Sequence, residues 1–492
     1  MKSRRDFLRK SAMATAGFYL LPSHVISGLG HKMPSDKLNI AGIGVGGKGH
    51  ANLIGMKTEN IIALCDVDQK YAAGTFNDFP QAQKYKDWRR MFDELGKEID
   101  GVMIATPDHT HAIIAATALL MDKHVYCQKP LTHSIYESRL LTRLAEKHRV
   151  ATQMGNQANS GDGVRQLCEW IWNGELGEIT QVHAWTNRPL WPQGLERPKE
   201  KVKVPSTLDW DLFIGPAPYR PYHSVYTPWN WRGWWDFGTG AFGDMACHVL
   251  DPVYRALNLG YPNQIQGRSS AINVESPPQS EMVEFSFPQR ENLPKLAMPA
   301  VKVYWYDGGL LPNRIEGLPD GVDLMRDGLG GCLFIGSKDS LLCDCGGFNP
   351  RLLSGRVPDV PQTLRRIPGA TGYHDGYHEQ DWIRACKESP ENRIDSSAHF
   401  AYAAPFNEMI LLGVLAIRLQ GLNKRLNWDA SQMCFTNISP GEELKIISEN
   451  KFQINNGHPR SALVYSTFDA LQATSEYIKH SYREGWKLPD MP

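Results

Sequence analysis

The chain has 492 residues, 42% of them apolar, with 53 lysines and arginines against 53 aspartates and glutamates. That length exceeds one ordinary domain and predicts two, while the balanced charge gives no reason to expect nucleic acid or an anionic membrane as partner. The nine cysteines are odd in number and lack the repeated short spacings of a disulfide framework, so they read as structural thiols, Cys343-Asp344-Cys345 included.

The chain opens with Ser3-Arg4-Arg5-Asp6-Phe7-Leu8. Paired arginines before a short apolar stretch resemble a twin-arginine export signal, a route for already folded proteins. The apolar stretch 12–21 is too short to span a bilayer, and Val25-Ile26-Ser27 before Gly28 is a candidate cleavage site. Residues 1–35 are therefore expected to be signal and linker, the export machinery a partner, and the mature protein periplasmic without a membrane span.

Residues 37–42 form an apolar run that ends in glycines, as a buried strand entering a helix does. Further strands are expected at 61–65, 102–105, 125–127 and 151–154, with helices at 111–120 and 137–148. Strands alternating with helices predict a doubly wound parallel sheet over 36–155. From 156 to 492 the pattern changes: a helix at 164–172, strands at 179–185, 282–287, 302–306 and 331–335, and helices at 379–388 and 406–419. These predict a second α/β domain with a mostly antiparallel sheet. The segment 189–243, rich in tryptophan, proline and glycine, reads as a long functional loop.

Gly42-Ile43-Gly44-Val45-Gly46-Gly47 has the spacing of a dinucleotide-binding turn, and Asp66 closes the next strand where an acid accepts from the adenosine ribose hydroxyls and repels a phosphate. Gly42, Gly44, Gly46, Gly47 and Asp66 thus predict NAD rather than NADP. The bland alternative is a glycine turn without ligand. Thr106-Pro107-Asp108-His109-Thr110-His111 follows another strand end, so Thr106, Pro107, His109 and His111 are expected to flank the cofactor. His109 and His111 could instead hold a metal, but no further ligands lie nearby and none is expected.

Cys127-Gln128-Lys129-Pro130 is the next such loop. A lysine beside a nicotinamide can favour the alkoxide-like charge of hydride transfer, where an ordinary lysine would be solvated. Asp244 and His248 stand four apart on a predicted helix and can meet one ligand, with histidine as proton acceptor. A lone histidine there would more often be packing. Arg232, Trp231, Trp234 and Trp235 lie in an aromatic-rich segment that matches the apolar face and polar rim of a sugar, although such rings also build cores.

These motifs in this order resemble the Gfo/Idh/MocA family, the glucose–fructose oxidoreductase and inositol dehydrogenase group. The resemblance implies an amino-terminal Rossmann domain, a carboxy-terminal α/β domain whose open sheet is often an oligomer interface, and hence a homo-oligomer. It assigns Lys129 to the family's Glu-Lys-Pro lysine and Asp244 with His248 to its acid–base pair. Gln128 departs from the usual glutamate. Gly155-Asn156-Gln157 adds Asn156, Gln157 and Gln128 to the expected cofactor site, and the segment 231–240 looks like an exported subgroup thought to act on glycosides. The expectation is an exported oxidoreductase with tightly bound NAD, acting on a ring hydroxyl of a sugar or glycoside, with C3 as candidate carbon. The alternative is glycoside cleavage by transient C3 oxidation and elimination, redox-neutral overall. A third reading is a dinucleotide-binding protein without catalysis.

Overall fold

The computed structural model describes residues 36–314, 318–325, 328–371 and 376–492. The twin-arginine segment and its cleavage site lie outside them.

The first domain is built on a parallel sheet in the order β3-β2-β1-β4-β5-β6. Its elements are β1 (Asn39–Ile43), α1 (Lys48–Gly55), β2 (Asn60–Cys65), α2 (Ala73–Asp78), β3 (Gln83–Tyr85), α3 (Trp88–Leu95), β4 (Gly101–Ile104), α4 (Asp108–Leu120), β5 (His124–Cys127), α5 (Ile135–His148) and β6 (Thr152–Met154). The apolar runs become strands because both faces are covered, and β4 is buried at every position. β3 escaped the sequence reading because Gln-Lys-Tyr at a sheet edge carries no apolar pattern. Strand order reverses between β1 and β4, and ligands bind at such a switch point, beyond the carboxyl ends of the strands.

The second domain begins with α6 (Asp162–Trp172) and β7 (Ile179–Thr186). After a long excursion come α7 (Trp210–Ile214) within it, then α8 (Gly240–Val249) and α9 (Asp251–Ala256). The sheet is completed by β8 (Gln264–Ser269), β9 (Glu281–Phe287), β10 (Val301–Tyr306), β11 (Gly330–Gly336), β12 (Ser340–Asp344) and β13 (Phe348–Leu352). Next follow α10 (Tyr377–Cys386), α11 (Phe400–Arg418), β14 (Leu426–Asp429) and β15 (Cys434–Phe435). The nine strands run β13-β12-β11-β7-β10-β9-β8-β14-β15, antiparallel except for β10 beside β7. The α/β class and the mostly antiparallel second sheet are as the sequence predicts.

α11 is apolar enough, and at 19 residues long enough, to cross a membrane, but 83% of its most apolar window is buried in the protein. It is a buried core helix because α5, α8, β8 and β9 pack around it. Eight of the nine cysteines are buried free thiols and Cys434 is exposed.

The excursion between β7 and α8 has its own aromatic core, including Trp210, Phe213, Tyr226, Trp231, Trp234 and Phe237. It is stitched to the first domain just past β2: Gln69 N donates to Thr207 O at 3.0 Å and Asp209 N to Val67 O at 2.9 Å. The chain ends by strapping it down. Arg483 pairs with Asp211 at 2.6 Å and Trp486 packs against Trp88. Before that strap, β16 (Glu443–Asn455) and β17 (His458–Asp469) form a separate two-stranded hairpin, followed by α12 (Ala470–Ile478). Phe452, Ile454, Leu463 and Tyr465 are exposed on it, although pairing places them on one face.

α5 and α11 join the two domains, and one buried ion pair ties them. Glu408 accepts from Arg139 Nε at 2.8 Å and Nη2 at 2.6 Å, and from Trp428 Nε1 at 3.2 Å. Glu408→Ala should therefore destabilise the protein by about 3–5 kcal/mol, because Arg139 and Trp428 lose a buried acceptor. Urea unfolding measures this; a loss below about 1 kcal/mol would show that the pair behaves as a solvated one.

Candidate functional site

The glycine turn forms because the chain must reverse where β1 meets the loop after β4. Gly44 has φ +75°, and a Cβ there would lie 2.7 Å from the Ala105 carbonyl and Thr106 nitrogen. No other residue fits that approach. The turn opens on a cleft of about 880 Å³, open solvent at its mouth included, lined on one side by Gly44, Gly46, Asp66, Thr106 and Pro107. The opposite wall comes from the excursion: Phe213, Trp229, Trp231 and Arg232.

Asp66 stands at the end of β2, where it accepts from Gly46 N at 3.1 Å and Asp68 N at 2.9 Å. Burial pushes its carboxyl up to about 6 despite those hydrogen bonds. The residues fit a dinucleotide: a turn without side chains for a diphosphate, an acid at the ribose position, and Asn156, whose buried amide has no hydrogen-bond partner among the described residues.

Behind Arg232 lies a cluster of three charges. Asp244 Oδ1 accepts from Lys129 Nζ at 2.6 Å and from Arg232 Nε at 2.9 Å, and Lys129 also donates to the Asp244 carbonyl at 3.0 Å. Burial alone would raise the Asp244 carboxyl, but Lys129 and Arg232 outweigh it and hold it well below the usual carboxylate range. The Arg232 guanidinium lies over both Trp229, at 4.3 Å, and Trp231, at 4.1 Å. One turn along α8, burial and the neighbouring Lys129 push the His248 imidazole down to about 3 against the pull of Asp244. His248 is thus neutral in the ordinary pH range, and the same burial and Lys129 that keep it neutral weaken it as a base.

The structure brings Lys129, Asp244, His248 and Arg232 together and places other expected residues elsewhere. His109 and His111 lie in the first turn of α4, but their rings do not line the cleft. His109 meets the Phe213 and Ile214 carbonyls at 3.1 and 3.0 Å, and His111 meets those of Pro130 and Thr106, each at 2.8 Å. His109 thus ties α4 to the end of α7, and His111 ties the loops after β4 and β5 together. Trp234 is fully buried against Tyr226 in the excursion's own core. Trp235 points to the other side, where Asn273 O accepts from its Nε1 at 3.2 Å and Arg418 lies over its ring. Both are corrected from sugar platforms to packing residues, since neither reaches the cleft; Trp231 lines it. Gln128 and Gln157 sit beneath the Lys129 loop, with Gln128 Nε2 donating to Asn52 Oδ1 at 2.8 Å.

Sequence reasoning missed five residues. Tyr71 lies across the glycine turn, its ring 2.2 Å from where a Gly46 Cβ would stand. Trp229 is the half-exposed partner of Arg232 at the mouth of the cleft. Lys48 lines the cleft from the start of α1. Asp108 accepts from Thr239 N at 3.2 Å and Oγ1 at 2.9 Å, fixing the start of α8 to the β4 loop. Burial pushes that carboxyl up to about 7, Arg232 and the Thr239 hydroxyl offsetting it only in part. Glu379 arrives on α10, where Asn52 Nδ2 donates to its Oε1 at 2.5 Å. Asp108 was visible beside His109, and Trp229 in the aromatic segment that continues through Trp235; for the others no spacing in the sequence gives a signal.

Two family models match the chain. The oxidoreductase family's NAD-binding Rossmann fold covers residues 37–156 and its C-terminal alpha/beta domain covers 172–283. Inositol 2-dehydrogenase of Salmonella typhimurium is 26% identical over 152 residues, 30% of this chain and 45% of that protein. Glucose-6-phosphate 3-dehydrogenase of Bacillus subtilis is 30% identical over 157 residues, 31% and 43% of the two chains. The matches thus span less than half the length of these curated relatives. Among solved structures, the WlbA dehydrogenase from Chromobacterium violaceum, in complex with NADH and UDP-GlcNAcA, superposes with a TM-score of 0.53 at 15% identity. It covers 80% of this chain and 97% of that one. An inositol dehydrogenase homologue from Azotobacter vinelandii, complexed with NADH and myo-inositol, has a TM-score of 0.52 at 15% identity, covering 80% and 98%. With a glycine turn and Asp66 in a Rossmann cleft, and an open mixed sheet behind it, residues 37–156 and 172–283 carry the two domains of the Gfo/Idh/MocA oxidoreductase family.

Proposed function

We propose that this protein is an exported, NAD-dependent oxidoreductase acting on a ring hydroxyl, C3 being the candidate position, of a sugar or glycoside. The observation that carries the reading is the Lys129–Asp244–Arg232 cluster beside a neutral His248, joined to the dinucleotide cleft by Arg232, which lines it. NAD, when bound, supplies the hydride-accepting nicotinamide carbon. His248 takes the hydroxyl proton. Lys129, fixed by Asp244, steadies the negative charge that grows on the same oxygen. Arg232, braced by Trp229 and Trp231, presents its remaining N–H groups to the substrate's polar rim. The sugar and polyol substrates named for the relatives support this class of substrate.

A second reading is redox-neutral cleavage of a glycoside at the same site, with ring oxidation reversed before the product leaves. The stitching of the excursion beside Asp66, with Arg483 and Trp486 strapping it down, favours this reading. A cleft closed on its adenosine side retains its nucleotide. Retention also suits the periplasmic location proposed from the paired arginines, where free NAD is scarce. The export machinery is then one partner. A second copy of the chain is another, supported by the exposed apolar face of the β16–β17 hairpin, since an isolated hairpin is marginal in water.

His248→Ala should cut turnover by about 100-fold or more while leaving nucleotide content near normal. NADH absorbance with a panel of glycosides measures the first, and nucleotide extraction the second; near-normal turnover would remove His248 as the proton acceptor. A nitrophenyl glycoside separates the two readings. Aglycone release without added NAD supports cleavage, and a stable keto-sugar supports dehydrogenation.

The ionised Asp66 accepts from ribose hydroxyls more strongly than the neutral acid. Because its carboxyl is pushed up to about 6, NAD affinity should be full above that pH and fall as the pH drops through it. Asp66→Asn should flatten the profile. Fluorescence titration from about pH 5 to about pH 8 checks this, and a flat wild-type profile would take Asp66 out of the ribose site.

A further inference from the structure

The floor beneath the Lys129 loop holds a carboxylate that the proposed chemistry does not use. Glu379 is 4% exposed and reaches α1 from α10, 327 residues away from Asn52 in sequence. Its Oε1 accepts from Asn52 Nδ2 at 2.5 Å and from Tyr126 OH at 3.2 Å. A Cβ on Gly55 would lie 3.2 Å from its Cγ, so α1 carries a glycine where the carboxylate passes. Asn52 is a bridge: on its other side Oδ1 accepts from Gln128 Nε2 at 2.8 Å. Gln128 in turn donates to Gln157 Oε1 at 3.2 Å, in the amide orientation that pairs donors with acceptors, and Lys48 Nζ donates to that same oxygen at 3.2 Å.

A buried carboxylate that stays ionised requires a counter-charge. Asn52 and Tyr126 are neutral donors, and Lys48 is the lysine of this floor. Lys48 also lines the dinucleotide cleft, at the first residue of the helix whose N-terminus faces a diphosphate in this fold. Gln128 itself carries no charge. The carboxylate therefore enters this floor from the second domain.

We propose that Glu379 is a positioning residue, the counter-ion that keeps Lys48 charged and directed at the bound dinucleotide, and that it does through Asn52 what a carboxylate at position 128 would do directly. The proposal rests on the nucleotide-binding part of the reading above and not on the identity of the oxidised substrate. Burial pulls the Lys48 ammonium below lysine's ordinary value, Glu379 opposes that, and Lys129 adds to it. The other titratable groups within its field are His248 on α8 and His378 on α10, both held down by burial and so neutral. Tyr71 and Cys65, which also line the cleft, are raised by burial and supply no charge change below lysine's range.

The test is NADH binding to the full-length protein, followed by fluorescence as a function of pH, in the wild type and in E379Q, Q128E/E379Q and K48M. In wild type the affinity should hold from about pH 7 to about pH 9. In E379Q it should fall about tenfold over that range, as Lys48 loses its proton and one charge-assisted contact goes. Q128E/E379Q should recover the wild-type profile, and K48M should bind about tenfold more weakly throughout, with no pH dependence. An E379Q profile that superimposes on wild type overturns the proposal, as does a double variant that fails to recover. Should E379Q not fold, K48M decides: NADH affinity within about twofold of wild type overturns the role of Lys48. Turnover is a separate readout. A protein that shows these profiles but oxidises no glycoside keeps this inference and loses the proposed reaction, and the converse result does the opposite.

Discussion

The Asp244 carboxylate, shared between Lys129 and Arg232, is the constraint on which the rest of the site depends. Each of the three residues arrives from a different piece of structure: Lys129 from the loop after β5, Arg232 from the excursion, and Asp244 from α8. A carboxylate this buried is tolerated only because two cations meet it. The two cations, in turn, lie close to each other only because the carboxylate is between them. The cluster therefore holds the first domain, the excursion and α8 in one register. That register puts neutral His248 beside the lysine.

Supporting contacts make the arrangement stiff. Asp108 fixes the start of α8 from the β4 loop, His109 holds the carbonyls at the end of α7, and His111 bridges Pro130 and Thr106. Each of these groups sets the distance between two segments that meet at the site. The excursion brings its own aromatic core, and its hydrogen bonds just past Asp66 join it to the first domain beside the cleft.

The aromatic segment shows where residue-type reasoning stops. Trp229, Trp231, Trp234 and Trp235 lie within seven residues, and composition treats them alike. In the structure Trp229 and Trp231 brace Arg232 at the cleft, Trp234 is core, and Trp235 faces away toward Arg418. The short helical turn at Asn230–Gly233 and the extended residue after it decide which ring points where, and no periodicity encodes that. The same limit applies to Glu379, which is one acid among 53 acidic residues until α10 packs on α1.

Local chemistry was enough to read the first domain from the sequence. Apolar runs that end in glycine, aspartate or Thr-Pro are strands with functional carboxyl ends, because parallel strands bury both faces and present their ends to ligand. The glycine turn, Asp66 and Lys129 follow from the same rules, while the Asp244/His248 pair of the second domain follows from the four-residue spacing of a helix. What tertiary structure alone decided is pairing at a distance: Arg232 on Asp244, Asp108 under α8, Glu379 on Asn52, and the histidines of the Thr-Pro-Asp-His-Thr-His loop turned to backbone carbonyls. Buried polar groups must find partners, and which partner each finds depends on how separate segments pack, a quantity that no window along the chain contains.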